Sequence, residues 1–227
     1  MNKSLLNELI EWARILAIAF IVAFFINNVI ITNSYIPTPS MESNLPVGSR
    51  LFGFRLTYAF SKPKRGDVVI FDYGYECKNC GRMYQKSDTN ICPYCNTENN
   101  HNKKVHFIKR VIGLPGDHIE IKEDYVADTE LFRSTLFEDA SFQVPCGHVY
   151  INGEKYEEDY LNEPMIVNGF YKPIDVVVPD DCCYLLGDNR NNSEDARFWA
   201  NPFVNMKDIE AKAYLIYWPL NRIGLIR

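Results

Sequence analysis

Two residues far apart in the chain, Ser40 and Lys109, could together cut an acyl bond. A serine hydroxyl is a poor nucleophile until a base takes its proton, and a lysine is a base only when neutral. Burial favours the neutral amine, so a lysine inside apolar structure is the kind that can serve. Ser40 lies in Ile36-Pro37-Thr38-Pro39-Ser40-Met41-Glu42, where the two prolines predict an extended segment. Lys109 lies in Phe107-Ile108-Lys109-Arg110-Val111-Ile112, a strand pattern in which an inward lysine would lose water. The plain alternative is a solvated lysine and an inert serine, because a separation of 69 positions carries no information by itself.

Four of the seven cysteines form a second reactive group. Cys77-Lys78-Asn79-Cys80 and Cys92-Pro93-Tyr94-Cys95 are two Cys-x-x-Cys knuckles, eleven residues apart. Four such thiolates can surround a tetrahedral zinc and leave no open position, so a site here is structural. Two disulfides are the rival reading if the segment faces an oxidising exterior. Residues 75–104 are expected to be a zinc-ribbon-like insert between two strands. Cys146, Cys182 and Cys183 are left over; Cys183 reads as core, and the adjacent Cys182-Cys183 pair, which could bind metal or oxidise, reads as buried packing. His101, His106, His118 and His148 stand in no pattern that would pair them with a nucleophile; they read as surface or packing residues.

The elements that must position these groups begin with an apolar run from Ile15 to Ile26, extended by Asn27 and Asn28 to Ile31. That length predicts a transmembrane helix over 12–31, and Ile30-Ile31-Thr32-Asn33 makes a poor signal cleavage site. Lys3 and Arg14 precede or open the run and no basic residue follows until Arg50, so residues 1–11 are expected in the cytoplasm and 32–227 outside it. The chain of 227 residues is 47% apolar, enough for a core, and its net charge of −5 gives no nucleic-acid footprint.

Beyond the helix, short apolar runs alternate with turns. Arg50–Phe54, Val68–Phe71, Val105–Ile112, His118–Lys122, Val149–Tyr156, Val176–Val178 and Cys183–Leu186 read as strands, with Ala211–Trp218 the last. Asn152-Gly153 marks a tight hairpin turn. Glu123–Gln143 is expected to be a variable excursion. The pattern predicts an all-β, mostly antiparallel and partly closed, barrel-like domain behind one N-terminal helix.

Three segments in order resemble the bacterial type I signal peptidases, the membrane-bound Ser/Lys proteases that remove signal peptides from exported precursors. They are Pro37–Met41 with Leu45; Lys64–Phe71 with Phe107–Asp117; and Leu186-Gly187-Asp188-Asn189-Arg190-Asn191-Asn192-Ser193-Glu194-Asp195-Ala196-Arg197-Phe198-Trp199. The resemblance implies that Ser40 attacks the scissile carbonyl, with Lys109 as general base and then acid. It further implies that Ser193 orients the lysine and Thr38 helps hold the oxyanion. Gly187 and Asp188 would support the site, and Asp195 and Arg197 would brace the loop. Ile36, Met41, Leu45, Phe107 and Ile108 would line shallow pockets for small residues at the cleavage site. Signal-peptide-bearing precursors and the bilayer are then the partners, with no cofactor for catalysis.

Departures from the family pattern are Pro39 before the serine, Ala196 for a serine and Phe107 for a tyrosine; the cysteine insert is unusual for it. Against each role stands a bland one. Thr38 would merely start a turn, Asp188–Asn192 would be a polar loop, and Asp195 and Arg197 would be a surface pair worth under about 1 kcal/mol. Two other classes remain open: a self-cleaving repressor-type Ser/Lys protease, disfavoured by the membrane span, and a membrane-anchored zinc-ribbon interaction module without catalysis.

Overall fold

A computed structural model gives the fold. It describes residues 3–42, 44–86, 89, 91–98, 103–132, 142–167 and 173–226, with side chains from residue 7 onward. His101 and residues 133–141 of the expected excursion lie outside that set.

The chain opens with α1 (Lys3–Phe25), which runs into a π turn at Ile26–Ile30 and then β1 (Ile31–Tyr35). Asn7–Ile30 is long and apolar enough to cross a membrane, and none of it is buried against protein. Trp12, Leu16, Phe20 and Phe24 all point outward, so their favourable solvent is lipid. The helix starts earlier than the expected boundary at residue 12, because residues 3–11 contain neither glycine nor proline to stop it. Ile31 is not its last residue; it opens β1, paired with Phe54.

β1 pairs with β2 (Arg50–Phe54) from Ile31↔Phe54 to Tyr35↔Arg50. The stretch carrying Ser40 is therefore a loop closed by a strand pair at its base. Ile36 N–H to Ser49 O at 3.0 Å and Gly48 N–H to Ile36 O at 2.9 Å extend that closure inward. All strand pairings among the described residues are antiparallel. The larger sheet runs β1–β2–β13 (Ile209–Trp218)–β3 (Val68–Glu76)–β5 (Lys103–Gly113)–β11 (Cys182–Leu186)–β12 (Phe203–Asn205). β4 (Met83–Gln85) adds to β3 and β14 (Gly224–Leu225) to β13. The smaller sheet runs β10 (Ile174–Val177)–β6 (His118–Asp128)–β7 (Gln143–Ile151)–β8 (Glu154–Lys155), with β9 (Met165–Ile166) on β7.

The mostly antiparallel β domain behind one apolar helix is as the sequence predicts. β6 continues to Asp128, past the expected start of the excursion, because β7 offers it a partner throughout. β14 follows the strand expected to be last, and α2 (Thr57–Phe60) adds a helical turn. Asn152 at φ 55° and Gly153 at φ 85° make the predicted hairpin turn.

One core lies between the sheets: Val69, Phe71, Val111 and Ile112 meet Ile119, Ile121, Val149 and Ile151. Each such side chain stabilises the fold by about 1.5–3 kcal/mol. A separate cluster of Met41, Leu45, Leu51, Val68, Ile70 and Ala211 anchors the Ser40 loop to the larger sheet. At Gly147 of β7 a Cβ would sit 1.9 Å from the Lys122 carbonyl oxygen. Gly147→Ala therefore forces β6 and β7 apart; the expected loss is about 1–3 kcal/mol, read as a fall in the thermal midpoint of about 2–4 °C for each kcal/mol.

Candidate active site

β5 sits between β3 and β11, so both of its edges are paired, and Lys109 through Gly113 are all buried. Lys109 is 3% exposed, opposite Val69 in the ladder, which rules out the solvated alternative. Its Nζ lies 2.7 Å from Ser40 Oγ. Burial lowers the amine to about 8; Asp195 pulls the other way and Arg197 assists the lowering. At that value a substantial fraction of the amine is neutral near physiological pH.

Ser40 is not in an extended segment as its prolines predict. Thr38 is extended, but Pro39–Met41 form a 3-10 turn with Pro39 at its first position, where the missing N–H costs nothing. The turn closes through Glu42 N–H to Pro39 O at 2.8 Å. It lifts the half-buried Ser40 hydroxyl off the loop while Met41 and Leu45 anchor beneath. Thr38 Oγ1 is 3.4 Å from Ser40 Oγ.

The loop after β11 holds this turn through its backbone. Asn189 N–H donates to Ser40 O and Asn189 Nδ2 to Pro39 O, both at 3.1 Å. Gly187 must be glycine: a Cβ there would fall 2.5 Å from Ser40 O and 2.1 Å from Ser193 Oγ. Ser193 is buried, and its hydroxyl lies near the Asp195 carboxylate without meeting hydrogen-bond geometry to any described residue, Lys109 included.

Buried charges brace the loop in pairs. Asp195 accepts from Gly187 N–H at 3.0 Å and from Arg197 Nε at 2.8 Å. Burial pushes its carboxyl up, but Arg197 outweighs this and holds it below the usual range. With Asp195 wholly enclosed, this is no surface pair. Nor is Asp188–Asn192 a plain polar loop. Arg110 donates to both Asp188 oxygens at 2.8 and 2.6 Å, Asn44 Nδ2 adds a bond at 2.8 Å, and the Arg110 guanidinium lies over Tyr160 at 4.1 Å. Arg190 forks onto Glu158 at 2.6 and 2.5 Å and donates to Gly187 O at 3.1 Å.

The expected pocket residues divide between two clusters. Ile36, Met41 and Leu45 are buried together with Ile108 partly exposed beside them. Phe107 instead joins an aromatic wall, stacked on Tyr73 at 4.1 Å. Sequence reasoning passed over Arg110, Asn44, Glu158, Arg190 and Asn189; the one available signal was Arg110 inside an apolar run. The described histidines each face a carboxylate: His106 Glu210, His118 Asp175 and His148 Asp124. None bonds Ser40. Cys183 is buried as expected and Cys146 is buried too, whereas Cys182 is only half-buried; burial pushes the Cys183 thiol up to about 12.

In the insert, the Sγ atoms of Cys77, Cys80, Cys92 and Cys95 all lie within 4.8 Å of one another, and no disulfide links them. Each knuckle is closed by its own backbone, Gly81 N–H to Cys77 O at 2.7 Å and Asn96 N–H to Cys92 O at 2.9 Å. Hydrogen bonding from Thr97 lowers the Cys95 thiol to about 6, while desolvation and the neighbouring thiols raise that of Cys80 to about 11. The donor set fits a thiolate-bound divalent metal in a zinc-ribbon-like arrangement.

Known proteins resemble this chain over nearly all of its length. The sequence profile of the signal peptidase, peptidase S26 family matches residues 9–218. A probable signal peptidase I-2 of Synechocystis sp. is 30% identical over 220 residues, 97% of this chain and 78% of its own. Signal peptidase I of Leptolyngbya laminosa is 31% identical over 218 residues, 96% of this chain and 84% of its own. A crystal structure of a signal peptidase I from Enterococcus faecalis shares 22% identity at a TM-score of 0.37, covering 67% of this chain and 97% of that one. With the profile spanning residues 9–218 and relatives of 30–31% identity matched over 96–97% of this chain, this protein belongs to the signal peptidase family, peptidase S26.

Proposed function

We propose that the chain is a membrane-bound serine endopeptidase in which Ser40 is the nucleophile and Lys109 the general base, cleaving signal peptides from exported precursors after small residues. The observation that carries this is the 2.7 Å approach of a buried amine, its proton affinity lowered by desolvation, to a half-buried hydroxyl.

Ser40 Oγ attacks the scissile carbonyl carbon as its proton passes to Lys109 Nζ. The Thr38 hydroxyl and the Ser40 N–H stabilise the oxyanion, each donor contributing about 3 kcal/mol. As the tetrahedral adduct collapses, the Lys109 ammonium protonates the departing amine, leaving an acyl-serine. Water then attacks that ester, giving its proton to Lys109, and Ser40 is released. An extended substrate would pair with backbone flanking Ser40 and Lys109, its small side chains resting on Ile36, Ile108 and Phe107 over Met41 and Leu45. These steps need no cofactor. The four insert cysteines would hold a structural zinc, and Lys3 and Arg14 favour a cytoplasmic N-terminus with the β domain across the membrane.

Ser40→Ala and Lys109→Ala should each lower precursor cleavage in detergent by about 10⁴-fold or more without unfolding the domain. Lys109→Arg should fail equally, since a guanidinium stays protonated; full activity in any of the three removes the dyad. The rate should climb as pH rises through about 8, where Lys109 loses its proton, and level off above. A rate flat from about pH 5 to 9 contradicts an amine base. Asp188→Ala strands Arg110 in the interior and should cost about 3–5 kcal/mol of stability, measurable by chemical denaturation.

A further inference from the structure

The cysteine insert grows from the strand pair that carries Lys109. β3 and β5 run past it as a ribbon, still paired at Tyr75↔Lys104 and Glu76↔Lys103, and β4 and the two knuckles hang from its end. The insert's own core is Cys77, Tyr84 and Cys92, with Tyr75 and Cys95 packed on it. So small a core cannot offset the conformational entropy of ordering the segment. Metal binding and folding of the insert are therefore one equilibrium.

The insert is also tied down near the site. Gln85 at the end of β4 donates through Nε2 to Asn201 O at 2.7 Å and accepts from Asn201 N–H at 2.9 Å, pairing both backbone groups of one residue. Lys86 reaches Asp208 at 2.7 Å and Asp72 at 3.7 Å, and its N–H donates to Tyr73 O at 3.0 Å. Between these ties stands the aromatic wall. Tyr73 lies flat on Phe107, and Trp199 is 5.3 Å from Tyr73 and 6.3 Å from Phe107. The Phe107 ring is 5.5 Å from Lys109 Nζ. Contacts thus run unbroken from the thiols, through Tyr84 and β4, to the ring beside the amine.

We propose that the metal-closed insert is a positioning device for the substrate groove. By fixing β4 it holds Asn201, and so Trp199, against Phe107, and this sets how an extended substrate seats beside Ser40. Gln85 is the positioning residue that couples the two. The element with two states is the insert itself, ordered with metal and unravelled without it. The proposal rests on the Ser/Lys peptidase reading above.

The test uses the full chain in detergent micelles, zinc-loaded or stripped by a chelator, with amide hydrogen exchange and precursor cleavage measured on each. Stripping should raise exchange across the insert and across residues 199–208, and raise KM about fivefold, leaving kcat and its pH profile unchanged. Gln85→Ala should still bind one zinc per chain and keep the insert protected, yet show the same rise in KM and the same exchange at 199–208. The proposal is overturned if the chain takes up no zinc, if stripping leaves 199–208 and KM unchanged, or if Gln85→Ala matches the parent. Should the loaded parent fail to cleave precursor at all, the peptidase reading falls, while the exchange measurements still judge the brace.

Discussion

A lysine inside a protein is tolerated only if something replaces the water it has lost, and here the replacement is a balanced field rather than a counterion. Lys109 has Asp195 and Asp188 close enough to raise its affinity for a proton. Either carboxylate, left bare, would keep the amine charged. Each is instead claimed by a guanidinium: Asp195 by Arg197 and Asp188 by Arg110. With the acids neutralised, desolvation dominates and the amine falls to about 8. The charge pairs therefore serve the proposed chemistry by cancelling one another, which explains why so many ionised groups are buried around one site.

That arrangement also joins the separate loops of the fold. A nucleophile on a loop needs both its backbone and its side chain fixed. β1 and β2 close the loop's base, Met41 and Leu45 anchor its underside, and Asn189 bonds the carbonyls of Pro39 and Ser40 from the opposite loop. Glu158, from the segment between β8 and β9, reaches across to Arg190 and so links the smaller sheet to the same loop. Two sheets and two loops thus meet at one turn of three residues.

Much of the fold was legible because period-two patterning and turn dipeptides are local properties. The hairpin at Asn152-Gly153, the strands read at Arg50–Phe54 and Cys183–Leu186, and the apolar N-terminal helix all follow from nearest neighbours. Errors fell where distant partners decide. β6 ran on to Asp128 because β7 accompanies it, and β14 exists because β13 offers an edge. The prolines around Ser40 argued for an extended stretch; loop closure between β1 and β2 folded it into a 3-10 turn instead, with Pro39 welcome at the first position.

The sequence by itself determined which side chains were available: a serine after the span, a lysine in an apolar strand, four cysteines at knuckle spacing and a run of charges after Leu186. Those are matters of composition and spacing, readable along one dimension. Only the tertiary structure decided that Lys109 meets Ser40, that Arg110 answers Asp188, and that Gln85 grips Asn201, because ladder register and loop packing set distances between residues the chain keeps 69, 78 and 116 positions apart. An amine becomes a base by what surrounds it, and the surroundings come from strands and loops brought together only in the folded state.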